Sequence, residues 1–68
     1  MMNSILLRQK MLEKGLQCKD ITENLKISRS ATVRKMSNKT EFTQSEIKGL
    51  IRLLELSPEE VMSIFFEC

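Results

Sequence analysis

The length and composition of the chain describe one small globular domain. It has 68 residues, of which 41% are hydrophobic and 29% are charged, with two glycines and one proline. These proportions exclude a disordered tail and predict a single domain over residues 1–68. A chain of this size buries only about 60% of its unfolded surface, which leaves little room for a catalytic cleft. A binding module is therefore favoured over an enzyme.

The residue inventory favours the same conclusion. The chain has no His, Trp or Tyr, and its two cysteines, Cys18 and Cys68, are too few for a zinc site or a disulfide framework. No glycine-rich phosphate loop or activated nucleophile is recognisable, and no segment approaches the ~20 apolar residues of a membrane span. We therefore expect a cytoplasmic protein that is not an enzyme, with no cofactor, no metal ion, no small-molecule substrate and no membrane partner.

Charge is distributed unevenly along the chain. The net charge is +2, but residues 1–40 carry nine Lys or Arg and three acids, a balance of +6. Residues 41–68 carry two Lys or Arg and six Glu, a balance of −4. A basic half attracts polyanions because bound counterions are released. Chance variation between small domains also produces such asymmetry, so the charge pattern alone does not decide.

Three short helices are predicted in the basic half. Their apolar residues have helical spacing, and the predicted bounds are Ser4–Lys14, Cys18–Leu25 and Arg29–Met36. Gly15 follows the first helix where a left-handed residue is wanted, and Asn38, which tolerates the same conformation, follows the third. Ser28 offers an N-cap hydroxyl to the third helix. About three residues separate the second helix from the third.

Two further helices are predicted in the acidic half. Thr43 and Glu46 form a capping box, and apolar residues follow them at i, i+3, i+4 and i+7 spacing. Ser57 and Pro58 begin the fifth helix. Its apolar residues are Val61, Met62, Ile64, Phe65 and Phe66. No strand pattern is present, so the predicted fold class is all-α, a compact bundle of five short helices.

The third helix is predicted to have two different faces. At 100° per residue, the polar and basic side contains Ser30, Val33, Arg34 and Ser37, and the packing side contains Thr32 and Met36. Two short helices joined by a three-residue turn are typical of a unit that presents a helix to the DNA major groove. A solvated surface without a partner is the alternative interpretation.

With these features the chain resembles the Cro/repressor-type, lambda-repressor-like helix-turn-helix proteins of temperate phages and related bacterial regulators. The longest matching motifs are DITENLKISRS at 20–30, FTQSEI at 42–47 and LELSPEEV at 54–61, and shorter ones lie at 7–8, 15–16, 34–36, 38–39 and 64–66. The resemblance covers nearly the whole chain. It implies a helix-turn-helix unit over about residues 18–37, formed by the second and third helices.

The resemblance also implies roles for individual residues. The base-contacting residues would be Ser28, Arg29, Ser30, Val33 and Arg34. Among them, Val33 would meet a thymine methyl, and Arg29 or Arg34 would pair with guanine. The phosphate-contacting residues would be Lys19, Lys35, Asn38 and Lys39. Simpler alternatives are that Lys35 and Lys39 are only solvated and that Val33 packs against the next helix.

Four residues depart from the family pattern. They are Cys18 in place of a backbone-contacting Gln, Lys26 in place of the turn glycine, Asn38 in place of a second glycine, and Thr32 in place of a branched aliphatic residue. A left-handed Lys26 costs about 1 kcal/mol, and a buried Thr32 hydroxyl must find a helical carbonyl. We therefore expect a domain of modest stability.

The predicted function is that of a sequence-specific, double-stranded DNA-binding transcriptional regulator of phage or mobile-element type. It would act by occupying an operator in the cytoplasm of a bacterial or phage-infected cell. The alternative, favoured by Cys18, Lys26 and Thr32, is an antirepressor or antitoxin-like module that binds a partner repressor protein. Single-stranded RNA is disfavoured because the three Phe have core spacing and leave no stacking platform.

A homodimer is expected, at least on DNA, because one recognition helix reads only half of a two-fold site. Val61 and Phe65 are four residues apart, as are Met62 and Phe66, so one pair can close the core while the other is exposed. We expect Met62 and Phe66 to be the outer pair and to form the dimer contact. The alternative is a monomer that buries both Phe and pairs only on DNA.

Overall fold

All the regular structure that the computed structural model describes, over residues 2–66, is helical. The helices are α1 (Ser4–Lys14), α2 (Cys18–Leu25), α3 (Arg29–Met36), α4 (Gln44–Leu54) and α5 (Pro58–Val61), and a π-helical turn, Met62–Phe66, continues α5. The all-α class with five helices is confirmed, as are the bounds predicted for the first three. Three residues separate α2 from α3, also as predicted.

The helix starts follow the capping residues in the sequence. The Ser28 hydroxyl accepts the Ala31 N–H at 3.1 Å at the start of α3. Capping boxes formed by Thr43 with Glu46 and by Ser57 with Glu60 begin α4 and α5. In each, a side-chain oxygen satisfies an N–H that has no partner within the helix. The start points of these helices are therefore fixed locally.

Four residues that follow helices adopt the left-handed conformation. Gly15 (φ 69°) and Asn38 (φ 63°) do so as predicted. Lys26 (φ 56°), which stands in place of the turn glycine, also does so. Glu55 (φ 53°) after α4 is a further case that its sequence does not signal. The left-handed conformation costs residues with a Cβ roughly 1–2 kcal/mol, with Asn and Asp as the exceptions that adopt it more readily. Two of the four turns are therefore strained.

The core lies around α4, which packs against α1 and α2, while α2 also packs against α3 and α1 against the π-helical turn. The buried apolar residues are Leu7, Met11, Ile21, Met36, Phe42, Leu50, Leu54, Leu56, Ile64 and Phe65. Gly49 allows the close approach of α2 to α4, because a Cβ at this position would lie 2.5 Å from Leu25 Cδ2. A larger residue at position 49 would therefore require the Leu25 side chain to shift.

The region after Ser57 differs from the single α-helix that its sequence predicts. The α-helix ends at Val61, and the turn that follows has i→i+5 hydrogen bonding, which places an extra residue in that turn. Ile64 and Phe65 are both buried there. The Ile64 carbonyl accepts the Asn3 N–H at 2.6 Å, which ties the start of α1 to this turn.

Candidate nucleic-acid interface

Helix α3 separates its residues into a buried side and an exposed side. Thr32 and Met36 are buried, with 0% and 1% of their surface exposed. All five residues predicted to contact bases are exposed, and we call them the α3 face: Ser28, Arg29, Ser30, Val33 and Arg34. Val33 is 54% exposed, so it does not pack against the next helix. The two-sided character predicted for α3 is confirmed.

Three cations of the basic half are neutralised by glutamates of the acidic half. Lys10 pairs with Glu60, Lys14 with Glu55 and Lys35 with Glu46. Each pair joins two different parts of the fold, and together they connect α1 and α3 to the region from α4 onward. Part of the charge asymmetry along the chain is therefore cancelled by folding.

The cations that remain are concentrated on the α2–α3 region. Of the nine Lys and Arg in residues 1–40, six make no ion pair within the described residues: Arg8, Lys19, Lys26, Arg29, Arg34 and Lys39. Five of these six fall between residues 19 and 39, and all six are exposed. The acids in this region are Asp20 and Glu23. These exposed cations therefore lie in and beside the segment predicted to bind DNA.

The four predicted phosphate contacts divide into two groups. Lys19 and Lys39 are exposed and make no ion pair within residues 2–66. Lys35 is half-buried between Glu46 and the Phe42 ring, whose centroid lies 5.9 Å from its Nζ. Asn38 donates from Nδ2 to the Met2 carbonyl at 2.9 Å. The structure gives Lys35 and Asn38 intramolecular partners, which leaves Lys19 and Lys39 as the better candidates for phosphate contact.

Glu46 holds the end of α3 against the start of α4. Burial raises the pKa of Glu46, but hydrogen bonds from the Lys35 ammonium and the Thr43 N–H outweigh that effect, and the pKa lies below its ordinary 4.5. The carboxylate is therefore ionised at neutral pH. The same oxygen accepts from the Lys35 ammonium and from the Thr43 N–H at the start of α4. This ion pair fixes the position of the last turn of α3.

Thr22 is a residue that the sequence analysis missed. Its hydroxyl oxygen on α2 lies 2.7 Å from that of Thr32 on α3. The sequence pattern predicts Thr32 to be buried but gives its hydroxyl only a carbonyl partner within its own helix. The Thr32 hydroxyl also has that contact, 3.2 Å from the Ser28 carbonyl oxygen. A second Thr on the neighbouring short helix is the signal that could have identified the pair.

Large apolar side chains are exposed in two places besides the α3 face. Met62 and Phe66 of the π-helical turn are 51% and 62% exposed, as expected for the outer pair. Phe66 lines a groove of about 230 Å³ with Ile47, Ile51 and Val61. The core spacing of the three Phe therefore does not bury all of them, because Phe66 is exposed while Phe42 and Phe65 are buried. On α1, Ile5 and Leu12 are 69% and 82% exposed.

Comparison with known proteins finds no relative of this chain. No family model, no curated protein and no solved structure matches the chain. Within residues 2–66, no cluster of His, Cys, Asp and Glu could hold a metal ion, and no helix is long and apolar enough to cross a membrane. The interpretation of α2 and α3 as a helix-turn-helix therefore depends on the sequence pattern and on the surfaces described above.

Proposed function

We propose that the protein is a sequence-specific, double-stranded DNA-binding transcriptional regulator in which α2 and α3 form a helix-turn-helix. One observation carries this proposal: five of the six cations of residues 1–40 without an ion pair among the described residues lie between residues 19 and 39. Exposed cations that contact phosphates release counterions from duplex DNA. The regulator would act by occupying its operator.

In this proposal α3 enters the major groove with its exposed face toward the bases. A helix about 10–12 Å across fits a groove about 12 Å wide. Arg29 and Arg34 would donate to guanine, and Val33 would contact a thymine methyl. The Ser28 hydroxyl accepts the Ala31 N–H and keeps one proton and a second lone pair, so it could donate to DNA or accept from it. Lys19 and Lys39 would contact phosphates at either end of the unit.

A salt titration against random duplex DNA tests the binding. Each neutralised phosphate contributes about −0.9 to the log–log salt slope, so we expect a slope of several units. Lys39→Ala is expected to reduce its magnitude by about 0.9. Lys48→Ala removes another exposed lysine, from α4, and is the matched control, with no change expected. A slope near zero would exclude this function.

We further propose that Met62 and Phe66 form the contact of a two-fold dimer. An exposed Met–Phe pair beside an apolar groove is the kind of surface that marks an interface. Sedimentation at increasing concentration, with and without operator DNA, is expected to detect a dimer that Phe66→Ser dissociates. Leu12→Ser removes an exposed apolar residue of α1 and is expected to leave the dimer intact. A monomer under every condition would contradict this contact.

A second candidate function is a module that binds a partner regulator instead of DNA. It is favoured by Ile5 and Leu12, which are exposed and seven residues apart, so they lie on one side of α1. Under this alternative the salt slope is near zero. In addition, Leu12→Ser abolishes the effect of the protein on transcription of a reporter, while Arg34→Ala does not. The DNA-binding function predicts the reverse for both variants.

A further inference from the structure

Two threonine hydroxyls connect α2 and α3 inside the domain. Thr32 is the one polar residue fully buried among residues 2–66, and its Oγ1 lies 2.7 Å from Oγ1 of the half-buried Thr22. Each hydroxyl also approaches a carbonyl oxygen of its own helix: Thr22 that of Cys18 at 3.1 Å, and Thr32 that of Ser28 at 3.2 Å. Three contacts are thus available to two hydroxyls.

The number of protons determines which of these contacts are hydrogen bonds. Each hydroxyl donates one proton, so two of the three contacts can be filled at a time. If both hydroxyls donated to their own helices, two oxygens would face each other at 2.7 Å with no proton between them. In either remaining arrangement one Thr donates to the other, and the acceptor donates to its own helix. A hydrogen bond between α2 and α3 is therefore always present.

This bond is directional, whereas the contacts around it are not. Burial of apolar side chains such as Ile21 and Met36 tolerates small rotations, because the hydrophobic effect has no preferred angle. A hydroxyl pair at the most favourable O–H···O distance does not, since the bond weakens steeply with angle. Thr32 lies in the middle of α3, on the side of the helix opposite Ser30 and Arg34. Rotation of α3 about its axis would therefore break the bond and displace Arg34.

We infer that the Thr22–Thr32 hydroxyl pair is a positioning element that fixes the orientation of α3 on α2. The Lys35–Glu46 ion pair holds the last turn of the same helix against α4. The hydroxyl pair thus holds the middle of α3, and the ion pair holds its end. The consequence for DNA rests on the proposed function: the pair sets the angle at which the α3 face meets base edges, and hence base-pair selectivity.

Two substitutions at one position separate this role from ordinary packing. Thr32→Val keeps the shape of the side chain and removes the hydroxyl, and it leaves no buried orphan because Thr22 then donates to the Cys18 carbonyl. Thr32→Ser keeps the hydroxyl and removes a buried methyl. We expect Thr32→Val to keep its Tm and Thr32→Ser to lower it. The orientation of α3 is expected to change in Thr32→Val and to stay as in the wild type in Thr32→Ser.

Residual dipolar couplings of the free protein measure that orientation without any DNA. The couplings of α3 amides, compared with those of α2, are expected to match the wild type in Thr32→Ser and to deviate in Thr32→Val. Thr22→Val removes the other hydroxyl while Thr32 still donates to the Ser28 carbonyl, so it is expected to deviate as well. Unchanged couplings in both valine variants would overturn the inference, as would a deviation in Thr32→Ser equal to that in Thr32→Val.

A second measurement tests selectivity on a duplex selected from random sequence. The ratio of selected to random affinity is expected to fall at least about fivefold in Thr32→Val, the lower end of what one bidentate base contact discriminates. Thr32→Ser is expected to keep the ratio at a temperature where it is folded. If the wild type shows no preference, the proposed function fails while the couplings still decide the inference. An unchanged ratio in Thr32→Val would overturn the link to selectivity.

Discussion

Helices α3 and α4 use their residues in opposite ways. In α4, Leu50 and Leu54 are fully buried, and Ile47 and Ile51 pack beside them, so an apolar stripe accounts for its fold. In α3, the fully buried pair includes a threonine, while Val33 is exposed. Folding alone explains the sequence of α4. It does not require an exposed Val between exposed arginines, an arrangement that the proposed DNA-binding role of α3 would use.

The strongest test of this contrast is Leu50→Ala. Leu50 is fully buried in α4, and truncation of such a residue costs about 2–5 kcal/mol of unfolding free energy. A small domain has little more stability than that to lose. We expect urea unfolding followed by circular dichroism to show a largely unfolded variant at room temperature. A loss below 1 kcal/mol would mean that α4 is not the centre of the core.

The corresponding substitution on α3 is Arg34→Ala, which is expected to leave stability unchanged because Arg34 is exposed and has no ion pair among residues 2–66. Affinity for a selected duplex is expected to fall by roughly 1–3 kcal/mol, with relaxed preference at one base pair. Arg52→Ala, also exposed but on α4, is the control and is expected to bind normally. Equal losses on selected and random DNA would place Arg34 against phosphate.

Relief of the strained turn before α3 has a smaller effect. Lys26 has φ 56°, and glycine adopts this conformation without the Cβ penalty, so Lys26→Gly is expected to stabilise the domain by about 1 kcal/mol. Thermal unfolding measures the gain. Glu55→Gly relieves the same strain but loses the carboxylate that pairs with Lys14, so a smaller gain is expected there. A destabilised Lys26→Gly variant would show that its side chain has a structural role.

The smallest effect expected is a dependence of stability on pH in the acidic range. Hydrogen bonds from the Lys10 ammonium and the Ser57 N–H lower the pKa of Glu60 from 4.5 to about 2. The folded carboxylate binds a proton less readily than the unfolded one, so this contribution is complete above pH 4.5 and is lost as the pH falls toward 2. Glu60→Gln is expected to flatten the decline in Tm over that range. Its exposed neighbour provides the control, Glu59→Gln, which is expected to keep the decline.

Much of the fold could be predicted because its signals are local. Capping residues fixed the start of α3 at Ser28 and that of α4 at Thr43, and apolar spacing identified the buried side of α3. Four-residue spacing also predicted that one of the pairs Val61–Phe65 and Met62–Phe66 is exposed, and the exposed pair is Met62 and Phe66. Each of these features depends on residues within about one or two turns of each other, where helix geometry is known in advance.

The features that could not be predicted depend on contacts between distant residues. Lys35 meets Glu46 eleven positions away, Asn38 reaches Met2, and Thr22 meets Thr32 across two helices. The sequence shows both members of each pair but not how far apart they lie in the fold. The π-helical turn is a further case, since its Ile64 carbonyl accepts an N–H from the start of α1. Tertiary contacts therefore decided which polar side chains remain available to a ligand.

The most direct test of α3 as the DNA-binding element is an NMR titration of labelled protein with a duplex selected for binding. We expect the largest amide shift changes at residues 28–34, with smaller ones at Lys19 and Lys39. Amides of α4 and the exposed side of α1 are expected to shift little. Shift changes centred on Ile5 and Leu12, or none at all with saturating duplex, would contradict the proposed interface.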